Sequence, residues 1–262
     1  MILIPIFVFC FGLLIGSFLN VVILRMNTGR STVTGRSKCM NCSRTLEWYE
    51  LIPVFSYLSL GGKCKTCKTH ISYQYPIVEL FTAIVFTVLY IKVLLVGSFS
   101  NMAVLAFLYL CALSAVLIVI TIYDLRHKII PDSMVYTFIL MAVASVFWHG
   151  GTNPSFSVMH ALVNGVLVAL PFFLLWFFSK GRLMGFGDVK LMLGIGWLLT
   201  FAQSVTAILL AFWIGGAFGL ILLATSHKHN MKSEVPFAPF LIIGLAIAGL
   251  WGITLQSLFF LW

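Results

Sequence analysis

Apolar runs close to the length of a bilayer crossing follow one another through almost the whole chain, and this constrains its fold more than any other feature. A helix needs about 20 apolar residues to cross the hydrocarbon. Lipid offers no hydrogen bonds to the backbone, so such runs must satisfy their own amides as helices. The runs predict spans at 2–24, 77–96, 102–123, 133–149, 157–178, 189–201, 204–225 and 237–261, the sixth short, with a break near Gln203. Composition agrees: 61% of residues are hydrophobic and 9% charged, against about 25% charged in soluble domains, and mean hydropathy is +1.08. The reading is an all-α polytopic membrane protein of about eight transmembrane helices. It leaves no room for a large soluble domain, and no internal repeat is visible.

The net charge of +9 invites a nucleic-acid reading, but the basic residues sit in short loops between apolar runs. Arg25, Arg30, Arg36, Lys38, Arg44, Lys63, Lys65 and Lys68 lie in 25–75; Arg126 and Lys128 in 124–132; Lys180, Arg182 and Lys190 in 179–190; Lys228 and Lys232 in 226–236. The opposite loops carry almost none. By the positive-inside rule the basic loops are cytoplasmic and both termini outside, which an even number of spans satisfies. The partner is the bilayer of the inner or plasma membrane, and no nucleic acid. The first run lacks a basic leading segment and a small-residue cleavage site, so it reads as an uncleaved helix rather than a signal peptide. Three segments follow: 1–24, a first transmembrane helix; 25–76, a cytoplasmic loop; and 77–262, a transmembrane core. All seven acidic residues, Glu47, Glu50, Glu79, Asp124, Asp132, Asp188 and Glu234, fall on or near the cytoplasmic side.

The 25–76 loop carries Cys39-x-x-Cys42 and Cys64-x-x-Cys67, separated by 21 residues. Each pair can offer two thiolates from one tight turn, and two pairs complete a closed tetrahedral zinc site of the zinc-ribbon kind. The alternatives are a pair of disulfides, which a reducing cytoplasm opposes, or four idle thiols. Cys10 and Cys111 lie within spans and read as packing residues. Trp48, Tyr49, Pro53, Phe55 and Tyr57, between the two pairs, suit a segment resting at headgroup level.

Two aspartates end or open spans: Asp124, in "DLRHKIIPD" (124–132), and Asp188, in "GFGDVKL" (185–191), beside Gly185 and Gly187. Ionisable groups at membrane depth mark functional sites. If the two carboxylates meet, two like charges about 4 Å apart repel by roughly 4 kcal/mol at an effective dielectric near 20. The pair then shares one proton, as in aspartic proteases. The competing readings are a helix cap or ion pair for each, with Arg126 or Lys128 as partners of Asp124. Asp132, after Pro131, reads as an N-cap.

The motifs "GSFLNVVILR" (16–25), the two cysteine pairs, "ELIPVFSYLSLGGKC" (50–64), "ISYQYPIVEL" (71–80), "DLRHKIIPD", "GFGDVKL" and "PFAPFL" (236–241) occur in this order. Together they resemble the type IV prepilin peptidases, leader peptidase/N-methyltransferases of the GxGD-type aspartic class. The resemblance runs from residue 16 to about 245. It implies that Asp124 and Asp188 are catalytic, with Gly185 and Gly187 as supporting motif residues. It also implies that a basic leader is cut after glycine from prepilins or pseudopilins of pilus, secretion or competence systems. It further implies methylation of the new N-terminus with S-adenosylmethionine. No Rossmann-type glycine motif is present, so Glu47, Glu50 and Glu79 are the weak candidates for that cofactor. Glu79 also suits the first turn of a helix, and Glu47 and Glu50 could simply offset the loop lysines. Ala238 stands where the family often has glycine. The rival classes are a carboxylate-dependent proton- or cation-coupled transporter and a peptidase without methyltransferase activity. Gly12 and Gly16, and Gly215, Gly216 and Gly219, offer close-approach surfaces, either for a substrate helix or within the protein.

Overall fold

Glycine decides where helices of this chain touch. In the structure, a computed structural model, residues 3–29, 31–96, 100–152, 157–225 and 235–259 are described. Arg30, Lys228, Lys232 and Glu234 lie outside them. Ten α-helices occur among the described residues: α1 (Leu3–Arg25), α2 (Phe55–Ser59), α3 (Gln74–Tyr90), α4 (Asn101–His127), α5 (Asp132–Thr152), α6 (Val158–Ser179), α7 (Phe186–Leu198), α8 (Phe201–Thr225), α9 (Ala238–Trp251) and α10 (Leu255–Phe259). A π turn (Ile91–Leu95) lengthens α3, and no strand is formed among the described residues. Five helical segments are long and apolar enough to cross a membrane, and α5 and α9 are shorter apolar helices. The chain divides into two compact units, Met1–Val119 and Ile120–Trp262.

In the first unit α1 packs on α3. A Cβ at Gly12 would lie 2.6 Å from the Ala83 Cα, and one at Gly16 2.7 Å from the Glu79 Cα. These two glycines therefore join the protein's own helices. Asn20, fully buried between α1 and α3, donates from Nδ2 to the Tyr75 and Gly16 carbonyls and accepts from Gln74 Nε2. Helix α3 starts three residues before the expected 77, so Glu79 sits in its second turn rather than its first.

In the second unit α7 lies against α5, α6, α8 and α9. Its 13 residues span only about 20 Å at 1.5 Å per residue. Close packing is possible because Gly194 accepts the Phe138 ring of α5, and Gly196 meets the Gly165 Cα of α6. Trp197 covers Gly165 and donates from Nε1 to the Leu162 carbonyl, 3.0 Å. Helices α8 and α9 meet where Gly244 faces the Ala207 carbonyl.

Two boundaries differ from the sequence reading. The break after α7 falls at Leu199–Thr200 rather than at Gln203, because the Gln203 side chain turns back to accept from the Thr200 N–H and hydroxyl at the start of α8. The last expected span, 237–261, is interrupted at Gly252, whose φ of 63° ends α9.

Candidate active site

Asp124 lies one turn before the end of α4. The helix stops at Lys128, whose φ is 55° and whose N–H donates to the Asp124 carbonyl, 2.7 Å. Ile129–Pro131 then turn the chain into α5. Asp188 lies in the first turn of α7, three residues after Gly185, the N-cap. The chain reaches it from α6 through a left-handed turn at Lys180 and Gly181, with the Gly181 N–H on the Trp176 carbonyl at 2.9 Å. Trp176 in turn stacks on Phe186, 4.6 Å between ring centroids.

Both carboxylates are buried, Asp124 at 4% and Asp188 at 9% exposure, and Asp124 is the neighbouring charge that acts on Asp188. Backbone groups fix each one: the Ala238 N–H donates to Asp124 and the Gly185 amide to Asp188. Asp124 Oδ2 and Asp188 Oδ1 are buried without a hydrogen-bond partner. Ion pairs among the described residues include Arg44–Glu50 and Lys190–Asp132, and what acts on Asp124 is burial and the Ala238 amide rather than a basic side chain. Buried polar atoms nearly always have partners, and those that do not call for an explanation such as a catalytic role.

Asp132 does not serve as a simple cap. Its carboxylate takes the Lys190 ammonium of α7, which also lies over the Tyr136 and Phe186 rings at 4.9 and 5.2 Å. The two glycines of the motif differ. A Cβ at Gly187 would stand 2.8 Å from the Ile130 Cβ, whereas one at Gly185 meets nothing closer than Asp188 Oδ2 at 3.5 Å. Gly187 is thus what lets α7 start against the turn that follows Asp124. Sequence reasoning missed the Ala238 amide, Ile130 and the Lys190 clamp. Pro239 in the first turn of α9 was the legible signal for the first, since proline there marks a helix N-terminus, which presents free N–H groups.

In the first unit the four cysteines converge, with all four sulfurs within 4.8 Å of one another. Cys39 Sγ and Cys67 Sγ are 3.7 Å apart, the edge of about 3.8 Å expected for sulfurs about 2.3 Å from a tetrahedral metal. The loops holding them form a short internal repeat that the sequence reading overlooked. Lys38 bridges to Thr45 and Lys63 to His70. Cys39 and Cys64 each close a turn with a residue at positive φ, Ser43 and Lys68. Hydrogen bonds from Thr69 hold the Cys67 thiol down to about 5, and the Cys67 and Thr66 amides lower Cys64. The Arg44 N–H favours the Cys42 thiolate, but desolvation and the neighbouring thiols drive it up to about 11. Sulfurs this crowded ionise together only around a cation, so the set fits a metal.

The carboxylate candidates for a cofactor are already engaged. Arg44 Nη2 donates to both Glu50 oxygens at 2.6 and 2.9 Å, holding Glu50 below the usual carboxylate range, and the Glu47 N–H adds a further bond. Buried Glu79 accepts from the Val54 N–H at 2.7 Å and from Ser17. Glu47 is exposed. Glu50 and Glu79 thus spend their carboxylates within the chain, which leaves Glu47 as the exposed member of the three.

Comparison with known proteins places two family profiles on the chain. The bacterial peptidase A24 N-terminal domain covers residues 10–93, and the type IV leader peptidase family covers residues 111–220. A prepilin leader peptidase/N-methyltransferase of Aeromonas salmonicida is 31% identical over 272 residues, covering 94% of this chain and 90% of the relative. Its counterpart in Bacillus subtilis is 30% identical over 257 residues, covering 96% of each chain. One from Myxococcus xanthus is 30% identical over 236 residues, with 88% of this chain and 67% of the relative covered. No solved structure matches.

Proposed function

This chain belongs to the type IV leader peptidase family, and on that premise we propose that it is a membrane-embedded aspartic endopeptidase acting on prepilins or pseudopilins. It cuts the basic leader after a glycine at the cytoplasmic boundary of the membrane. It then methylates the new N-terminus, as its relatives' names state for them. The family match favours this over a proton- or cation-coupled transporter. The observation that carries the chemistry is the pair of buried carboxylates, each oriented by one backbone amide, each with one oxygen lacking a partner, and neither with a basic side chain among the groups acting on it.

Asp124 and Asp188 hold one proton between them. The charged member takes a proton from a water molecule as that water attacks the scissile carbonyl. The neutral member donates its proton to the carbonyl oxygen. Collapse of the tetrahedral intermediate breaks the C–N bond, the leaving amine takes a proton from the dyad, and the shared proton is restored. The Ala238 and Gly185 amides fix both carboxylates in advance, so little reorganisation is needed during reaction. Gly187 and the Lys190–Asp132 pair hold α7 in place.

Cys39, Cys42, Cys64 and Cys67 hold zinc as a closed, structural site. S-adenosylmethionine supplies the methyl group, and no residue is assigned to it. The basic loops face the cytoplasm and both termini lie outside, by the positive-inside rule.

Co-expression with a candidate prepilin followed by mass spectrometry of the pilin N-terminus tests the reading. Loss of the leader plus one methyl increment is expected. Cleavage without the increment leaves a peptidase alone, and an intact leader with every prepilin class overturns the proposal.

A further inference from the structure

The segment between the cysteine pairs is tied to a fixed depth. Val54, in the 48–59 stretch, has φ of 60°, and the Phe55 N–H bonds the Pro53 carbonyl at 2.6 Å, forming a tight γ-turn. The Val54 N–H donates to Glu79 at 2.7 Å. Glu79 is the sixth residue of α3, so the anchor lies about 7.5 Å along the helix at 1.5 Å per residue. Helix α3 with its π turn is long and apolar enough to span a bilayer. Its neighbouring Ile77 and Phe81 side chains are exposed, as lipid-facing residues are. A polar loop held at this level would have to share it with lipid.

The segment is not polar. Trp48 is 75% exposed, and Tyr49, Phe55 and Leu58 are also exposed. Trp48 and Tyr49 meet edge to face, 5.8 Å between centroids. Lys65 Nζ bonds the Tyr49 hydroxyl at 3.0 Å and lies over its ring at 5.1 Å. Lys63 and Lys68, beside it in the second cysteine turn, are exposed. An aromatic and aliphatic edge, bordered by ammonium groups and held level with the start of a span, has the composition of an interfacial membrane anchor.

We propose that residues 48–59, with the lysines of the second cysteine turn, form a membrane-docking element that seats Trp48, Phe55 and Leu58 at the headgroup–acyl boundary and gathers anionic lipid through Lys63, Lys65 and Lys68. Charge decides lipid over substrate as the occupant, because the leader of the proposed substrate is basic and the lysines repel it. The element keeps the metal-holding loop pressed to the bilayer; the choice of lipid over substrate rests on the proposed function, whereas the depth and composition of the segment do not.

The test uses the full-length protein in nanodiscs of phosphatidylcholine with phosphatidylglycerol. Trp48 emission is taken as the difference between wild type and Trp48→Phe. Lipids brominated near the top of the acyl chain should quench it strongly, and aqueous iodide weakly. Brominated phosphatidylglycerol should quench more than brominated phosphatidylcholine at equal mole fraction. The combined change Lys63→Ala, Lys65→Ala, Lys68→Ala should remove that difference while depth quenching persists, since each lysine near an anionic surface contributes on the order of fivefold to local lipid preference. Glu79→Ala should release the segment and raise iodide quenching. Strong iodide quenching with weak bromolipid quenching in wild type overturns the proposal. So does iodide access that disappears only when a prepilin is added, which would assign the face to a protein partner.

Discussion

Gly187→Ala is the most informative single change in the candidate active site, because its effect can be worked from distances. The new Cβ would sit 2.8 Å from the Ile130 Cβ and 3.0 Å from its Cδ1. Carbon atoms pack best at about 3.5–4.0 Å, so the first turn of α7 must move away from the α4–α5 turn by roughly 1 Å. Asp188 moves with it while Asp124, on the other side of that contact, stays. Overpacking of this kind costs about 1–3 kcal/mol in stability, and a misplacement of about 1 Å in a catalytic group costs on the order of 10²-fold in rate. Gly185→Ala is the control. Its φ of −71° suits any residue, and its Cβ meets only an ordinary 3.5 Å contact. Cleavage of a prepilin by purified protein, with thermal unfolding measured in parallel, should show Gly187→Ala folded but about 10²-fold slower and Gly185→Ala within a few-fold of wild type. Equal losses at both positions, or none at Gly187, would refute the claim that this contact sets the dyad's geometry.

Other expectations concern the surrounding groups. Lys190→Ala should lower the cleavage rate roughly tenfold by loosening α7 on α5. Because the Lys190 side chain is only 12% exposed and lies over two rings, the change should also cost about 1–2 kcal/mol of stability through lost packing; the swap Asp132→Lys with Lys190→Asp should recover part of the rate, and no recovery would exclude a positioning role. Cys39→Ser should release bound zinc, measured by elemental analysis, while Cys10→Ser retains it; unchanged metal content in Cys39→Ser would refute the four-thiolate site. Arg44 lowers the Glu50 pKa, so Glu50 contributes stability above its unfolded value of about 4.3, and this is lost as pH falls through the lower folded value. The protection of amides 44–51 relative to intrinsic exchange should therefore fall as pH drops through that value in wild type, and Glu50→Gln should show the lower protection at neutral pH already; equal protection in both at neutral pH would refute the contribution.

The helices and the four-cysteine centre were legible because their signals are carried by side-chain type and spacing. Apolar runs must become helices in lipid, and paired Cys-x-x-Cys turns place thiols together at short range. Asp124 and Asp188 were legible as candidates because carboxylates are scarce in this chain. Their surroundings were not, since the fixing groups are the backbone amides of Ala238 and Gly185, which have no side-chain signature. The sequence does not separate Gly187 from Gly185; the φ of Gly187 is not positive, and what it supplies is close approach to Ile130, a long-range contact. Glu50 and Glu79 read in the sequence either as weak cofactor candidates or as structural charges, and their partners within the chain, Arg44 and the Val54 amide, depend on turns that a single sequence does not specify. The ends of α7 and α9 shifted for the same reason: Thr200 with Gln203, and Gly252, act through local backbone geometry.

The most direct measurement compares single-turnover cleavage rates for Asp124→Asn, Asp188→Asn and the double variant, each confirmed as folded and membrane-inserted. Two carboxylates working as one proton-sharing unit predict that each single change removes activity by at least about 10³–10⁴-fold and that the double change is no worse, as for other groups that act together. Appreciable cleavage in either single variant, or losses that multiply in the double, would contradict it.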